Sequence, residues 1–196
     1  MLFLHVKHLE VQKNRQAERE QESAAAHRLL RDLTDELHLP PAPVATTDRG
    51  RPFFEGLPFV DFSLAHTSSL AVCALSCRKE GDLAPRVGVD AESRVRYTDE
   101  KIAALAARFF GKHEEEAVTQ ARDKATAFTA VFTRKEAFAK YTGEGLGRHW
   151  KGTDTLHPDF EAAHNVRFFT YAENGVTICL CTSRDEEQPP RCVVKK

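Results

Sequence analysis

Long apolar runs are missing from this chain. No stretch approaches the ~18–20 residues that a membrane-spanning helix needs, so a membrane protein of that kind is excluded. A surplus of charge of one sign is missing too. Twenty-eight Lys and Arg stand against 29 Asp and Glu, for a formal net charge of −1. General nucleic-acid binders carry a basic excess, so that class is excluded, although a local basic pocket for one phosphorylated ligand is not. Cysteine is sparse and unpaired in pattern. Cys73, Cys77, Cys179, Cys181 and Cys192 are odd in number and form no CxxC, which argues against a disulfide framework or a zinc site. They read as small apolar residues of a reduced, cytoplasmic protein. The first eight residues lack a basic lead and a small-residue cleavage site, so no signal peptide is expected. Internal repeats and low-complexity tracts are absent as well.

What is present is 196 residues, 41% apolar and 29% charged, enough for one or two domains with a real core. Residues 2–6 read as a strand. A charged stretch from Asn14 to Glu22 leads into a helix over 24–37, with Ala26, Leu29, Leu30, Leu33 and Leu37 at helical spacing; Pro40 and Pro41 end it. After a Gly/Pro-punctuated stretch, Phe59–Ala65 and Leu70–Ser76 read as two strands with a turn at Thr67-Ser68-Ser69. Gly81 to Arg86 is a connector, so we divide the chain into an N-terminal half, 1–85, and a C-terminal half, 86–196. The second half opens with a strand at Val87–Glu92. A helix capped by Thr98 or Asp99 follows, then a polar run over 112–124 read as loop or exposed helix. The strongest helix is Thr126–Tyr141, terminated by Gly143 and Gly145. A hairpin turns at Asn174-Gly175, and the Lys195-Lys196 tail is expected to fray. Short loops between neighbouring strands indicate an α+β fold with small antiparallel sheets.

Three segments carry chemistry. In Val87-Gly88-Val89-Asp90-Ala91-Glu92, side chains two apart share a face of a strand, so Asp90 and Glu92 project together. Like charges that close raise one another's pKa unless a cation lies between them, and an all-oxygen set suits magnesium or manganese. The bland alternative is a strand running into a solvated turn. In the helix, Phe132, Glu136 and Lys140 form one i, i+4 row. Glu136 is either an ordinary partner of Lys140 or a third carboxylate for the Asp90–Glu92 pair. Third, His66 stands at a strand end among small hydroxyl residues, where it either caps a turn or joins Arg51 in holding a phosphate.

In chain order, Gly50-Arg51-Pro52, Phe62-Ser63-Leu64-Ala65-His66-Thr67, Val87 through Glu92 and Phe132 through Lys140 resemble the motifs of the 4′-phosphopantetheinyl transferases. The likeness is to the larger, synthetase-activating form. That family shows G-[KR]-P, an F-N-x-S-H-S-like strand end, [VI]-G-[VI]-D-x-E and W-[ST]-x-K-E-[AS]-x-x-K. Arg108-Phe109-Phe110 and Gly143-Glu144-Gly145-Leu146 also look like family features. The resemblance implies a pseudo-dimer of two similar halves, each a small sheet packed with a long helix, with the active site between them. It implies magnesium-dependent transfer of phosphopantetheine from coenzyme A to a serine of an apo acyl or peptidyl carrier protein, releasing adenosine 3′,5′-bisphosphate. Asp90, Glu92 and Glu136 would hold the metal (Mg²⁺, or Mn²⁺), and Glu136 or a metal-bound water would take the serine proton. Lys140 would neutralise pyrophosphate oxygens, with Lys135 a lesser contact to pyrophosphate or carrier. Arg51, His66 and Arg28 would bind coenzyme A phosphates. Arg108, Phe109 and Phe110 are candidates for carrier docking, unless the two phenylalanines are plain core. One chain supplies both sides of such a cleft, so a cytoplasmic monomer is expected.

Three positions depart from the pattern: Ser63 replaces Asn, Ala65 replaces Ser, and Phe132 replaces Trp. Ala65 has no hydroxyl to offer a phosphate, a loss worth about 0.5–1.5 kcal/mol. Two other readings use the same residues: a different magnesium-dependent phosphoester enzyme such as a hydrolase, and a non-catalytic carrier- or coenzyme-A-binding relative.

Overall fold

The structure is a computed structural model that describes residues 1–10, 15–145, 150–186 and 188–195, with the side chains of 15–19 left aside. Asn14, Leu146 and Lys196, named above, lie outside the described residues. The first half runs β1 (Leu2–His8), α1 (Arg15–Glu36), a short pair β2 (Val44–Thr46) and β3 (Pro52–Phe54), and a hairpin of β4 (Val60–Thr67) and β5 (Leu70–Cys77). The second half runs β6 (Val87–Ser93), α2 (Asp99–Phe109), α3 (Lys112–Gln120) and α4 (Lys124–Thr142). After these come a 3₁₀ turn (Trp150–Gly152), α5 (Phe160–Ala163), β7 (Val166–Glu173) and β8 (Val176–Ser183). A last strand, β9 (Cys192–Lys195), closes the order.

The connectivity is the same in both halves. In the first sheet, β1 lies antiparallel to β5, which pairs with β4; in the second, β6 lies antiparallel to β8, which pairs with β7. The chain adopts the expected α+β class with small sheets, antiparallel except where β9 adds to β1 in parallel. The layering follows from side-chain alternation. Every residue of β5 is buried, the pattern of a strand covered on both faces. Leu70, Val72 and Ala74 face one core, shared with Leu4, Val6, Val87, Val89, Ile178 and Leu180. Ala71, Cys73 and Leu75 face another, where Ala26, Leu29, Leu30 and Leu33 of α1 pack. Likewise Cys179 and Cys181 of β8 meet Ala137 and Phe138 of α4. Each sheet therefore carries its own long helix, and both give their other face to a common core.

Gly88 makes the close fit of α4 on β6 possible. A Cβ there would collide with the backbone of Ala137 and Tyr141. Gly143 caps α4 in the left-handed region at φ +73°, as expected of its C-terminal glycine. At the hairpin turn Asn174 and Gly175 have φ values of 47° and 77°, the signature of a tight primed turn.

Between the halves, β4 and β6 are edge strands that meet without backbone pairing. Asp61 Oδ2 accepts from the Val87 amide at 2.8 Å, and Ser63 Oγ accepts from the Val89 amide at 3.0 Å. Arg51 completes the seam. Its Nη1 and Nη2 donate to both Asp61 oxygens at 2.9 and 2.6 Å, Nη2 also to Val87 O, and Nε to Lys140 O.

Three readings are corrected and one left open is decided. Residues 112–124 contain helix α3, and it is not merely exposed: Glu114 is fully buried. The tail does not fray at Lys195, which lies in β9 beside β1 and pairs with Glu36 at 2.7 Å. The helix expected from residue 24 begins at Arg15. Phe110 is core, fully buried and stacked on Phe128.

Asp61→Asn leaves a buried guanidinium without its counter-charge, and should lower unfolding stability by about 3 kcal/mol in urea titration. A change below about 0.5 kcal/mol would mean the seam is unimportant. Gly88→Ala should yield little folded protein, judged by near-UV circular dichroism of the purified chain.

Candidate active site

Strand β6 delivers Asp90 and Glu92 at its C-terminal end, and α4 crosses it with Glu136 and Lys140 one turn apart. Asp90 is buried, 6% exposed, and its Oδ1 accepts from Lys140 Nζ at 2.8 Å. The same ammonium donates to Leu64 O on β4 at 3.2 Å. Asp90 Oδ2 is buried and has no hydrogen-bond partner among the described residues. Glu92 and Glu136 are half-buried beside it. Desolvation, then the Asp90 charge, push both carboxyls up to about 7, with Lys140 opposing. Glu92 adds its own repulsion to Glu136. The three acids and Lys140 thus form one electrostatic unit.

Glu136 and Lys140 of this unit line a cleft of about 240 Å³ between the halves, together with Arg51, Phe62, Ser63 and Gly143 among others, whereas Asp90 and Glu92 do not. A second, apolar hollow of about 370 Å³ has Glu92 in its wall. Tyr97, Phe109, Phe128, Phe132 and Trp150 line it. Phe109 is half-buried in its wall, and exposed Arg108 lies 4.9 Å from its ring.

The other expected residues are placed differently. His66 is at the end of β4, exposed, with Nδ1 3.0 Å from Glu22 Oε2 on α1. Arg28 is exposed on α1. Arg51 lines the cleft, but its guanidinium serves the seam, leaving one Nη1 hydrogen uncommitted among the described contacts. Lys135 is not brought to the cleft. It is buried, its Nζ 2.7 Å from Glu114 Oε2, with a further bond to Thr153 O. One residue from Glu136 on a helix is a 100° turn, which aims Lys135 into the α3–α4 interior. Ser63 and Ala65 are buried, Ser63 in the seam and Ala65 in the shared core.

Two partners escaped the sequence reading, and both left a signal. Glu22 shares the buried stripe of α1 with Ala26, Leu29 and Leu33, so it is an acid on an apolar face. Glu114 lies one turn before buried Val118 and accepts from the Gly111 and Thr155 amides, Thr155 Oγ1 and Lys135.

Among the described residues no group of three His, Cys, Asp or Glu side chains stands in position to hold a metal ion. The donor chemistry nonetheless fits a hard divalent cation. All donors are carboxylate oxygens, one is buried without a partner among the described residues, and two neighbours are pushed up to about 7 by burial and by the Asp90 charge. Arrangements of this kind suit proton abstraction and the binding of phosphate oxygens.

A family model described as the 4′-phosphopantetheinyl transferase superfamily matches residues 86–189, which is 104 of the 196 residues. The L-aminoadipate-semialdehyde dehydrogenase-phosphopantetheinyl transferase of Saccharomyces cerevisiae is 28% identical over 131 residues, 67% of this chain and 44% of its own length. The 4′-phosphopantetheinyl transferase HetI of Nostoc is 34% identical over 89 residues, 44% of this chain and 34% of its own. The chain spans less than half the length of these curated relatives. The solved holo-[acyl-carrier-protein] synthase (AcpS) of Thermotoga maritima aligns over 50% of this chain and 62% of its own. Its identity is 18% and its TM-score 0.33, too loose a superposition to argue from.

The raised carboxyls set a pH dependence. A group raised in the folded state contributes stability that is full below its ordinary value of 4.5 and is lost as pH rises through about 7. In metal-free protein the melting temperature should therefore fall between about pH 5 and about pH 8. The Glu92→Gln/Glu136→Gln variant should lack that slope, and equal slopes would dissolve the cluster.

Proposed function

The chain belongs to the 4′-phosphopantetheinyl transferase superfamily, and from that premise we propose that it moves 4′-phosphopantetheine from coenzyme A to a serine hydroxyl of an apo acyl or peptidyl carrier protein. The observation that carries this reading is the electrostatic coupling of Asp90, Glu92, Glu136 and Lys140, of which Glu136 and Lys140 line the cleft between two halves of like connectivity, read here as a pseudo-dimer.

The serine oxygen attacks the phosphorus that bears pantetheine. A new P–O bond forms, the bond to the bridging pyrophosphate oxygen breaks, and adenosine 3′,5′-bisphosphate leaves. Glu136, which lines the cleft, accepts the serine proton. Lys140, already oriented by Asp90 and Leu64 O, neutralises charge on the pyrophosphate oxygens. Asp90, Glu92 and Glu136 would hold magnesium, which when bound offsets the charge developing on the leaving group. His66 takes the 3′-phosphate, with Glu22 orienting its ring. Arg51 gives that phosphate at most one N–H, and chiefly positions β6 and α4. Arg28, exposed on α1, is a peripheral phosphate contact. The apolar hollow with Phe109 and exposed Arg108 suits an acidic carrier with an apolar patch. No helix among the described residues is long and apolar enough to cross a membrane, and we read the protein as a cytoplasmic monomer.

Mass spectrometry of several apo carrier proteins, each incubated with coenzyme A, magnesium and this protein, tests the reading. A gain of the phosphopantetheine mass on serine is expected. Free bisphosphate without carrier modification would point to hydrolysis, and silence from folded protein to a binding relative. Glu136→Gln and Asp90→Asn should each lower kcat by about 100-fold or more while retaining the wild-type circular dichroism. Rates within about twofold of wild type for both would remove these residues from the chemistry.

A further inference from the structure

Arg134 fills the position that the helix motif leaves open. It is two residues from Glu136, a 200° rotation on an α-helix, so it leaves α4 on the side turned away from the cleft. Its guanidinium is already oriented. Nε donates to Thr155 O at 3.2 Å, Nη2 donates to Glu161 Oε1 at 2.9 Å, and the Phe168 ring lies 3.7 Å away. Those contacts leave further N–H groups on the fork.

Two more arginines arrive from the end of the β7–β8 hairpin. Arg167 pairs across the ladder with Thr182, and Arg184 lies two residues beyond it, so the two are diagonal neighbours. The Arg184 amide donates to Asn165 O at 3.1 Å, which fixes the backbone there. Arg184 is exposed; Arg167 is half-buried and has contacts of its own within the protein. With His157, the three arginines line a cavity of about 380 Å³ that shares no residue with the cleft. Glu161 is the one acid among the lining residues, so three guanidinium charges face one carboxylate. The chain as a whole is nearly neutral, so this surplus is local.

We propose that this cavity is a second anion site, which takes a phosphate-bearing small molecule. Guanidinium forks match the geometry of phosphate oxygens and hold them through charge-assisted hydrogen bonds. A concavity of this size holds one small ligand, whereas an acidic protein surface would need a broad, convex-tolerant patch. The inference does not depend on the transfer reaction.

Isothermal titration of the full chain with inorganic pyrophosphate, and separately with adenosine 3′,5′-bisphosphate, tests it. Lys140→Ala serves as the background, because it removes the ammonium of the cleft, and any binding there that Arg184→Gln leaves unchanged belongs to the remaining cleft contacts, His66 and Arg51. One equivalent of at least one ligand should bind in that background. Arg184→Gln, at an exposed position, should weaken the binding at least tenfold, and adding Arg167→Gln should abolish it. Pyrophosphate binding as tight as that of the bisphosphate would assign the site to the phosphates alone; a tighter bisphosphate would assign it to a nucleotide. Absence of binding of both ligands in the Lys140→Ala protein, or affinities unchanged by Arg184→Gln and Arg167→Gln, would overturn the proposal. Phosphopantetheine transfer by Arg184→Gln should be unaltered, so loss of the second site is separable from loss of the first.

Discussion

Asp61 accepts hydrogen bonds from Arg51 on two sides and from the backbone of Val87 on a third, and both charged side chains lie almost entirely inside the protein. Two sheets that end in facing edge strands need such a device. The edge amides of β6 must be satisfied, and here side chains of β4 satisfy them instead of a continuous backbone ladder. The consequence is positional. The arginine also holds the last turn of α4 through Lys140 O, so one guanidinium sets β4, β6 and α4 in mutual register. A buried ion pair is weak evidence for net stability, since desolvation offsets much of the attraction. At this place its hydrogen bonds span β4, β6 and α4.

That register is what makes the carboxylates chemically unusual. Asp90 lies at the point where β6 passes beneath α4, too buried to be solvated, and Lys140 supplies its counter-charge. Glu92 and Glu136 are left with burial and repulsion, and titrate near neutrality. The same four side chains on an open surface would be ordinary acids and an ordinary lysine. Depth between two halves, with one ammonium shared among three acids, gives them the perturbed electrostatics on which the proposed function rests.

Lys135 and Glu136 show how neighbours in sequence part in function. Glu136 faces the cleft, while Lys135 is buried against Glu114, which in turn holds the amides of Gly111 and Thr155. The Lys135 network ties α3 and the segment after the 3₁₀ turn to α4, and so shapes the hollow walled by Phe132 and Trp150. A lysine next to a catalytic-looking glutamate invites a ligand role. Which way it points depends on an acid 21 positions away, and no local pattern contains that information.

Local periodicity was enough to read the two hairpins, α2, α4 and the pairing of Asp90 with Glu92 on one strand face, because alternation and helical spacing are properties of short segments. It also allowed Glu136 and Lys140 to be put on one row of a helix. It missed β2, β3 and β9, which are three or four residues long and exist because a partner strand is nearby. It misread α3, whose polar sequence hides a buried acid, and it did not foresee that Asp61 engages Arg51. The chain alone determined which ionisable residues stand on β6 and α4, and at what spacing. The folded arrangement alone decided which of them meet, since meeting is a contest among distant partners for each buried charge.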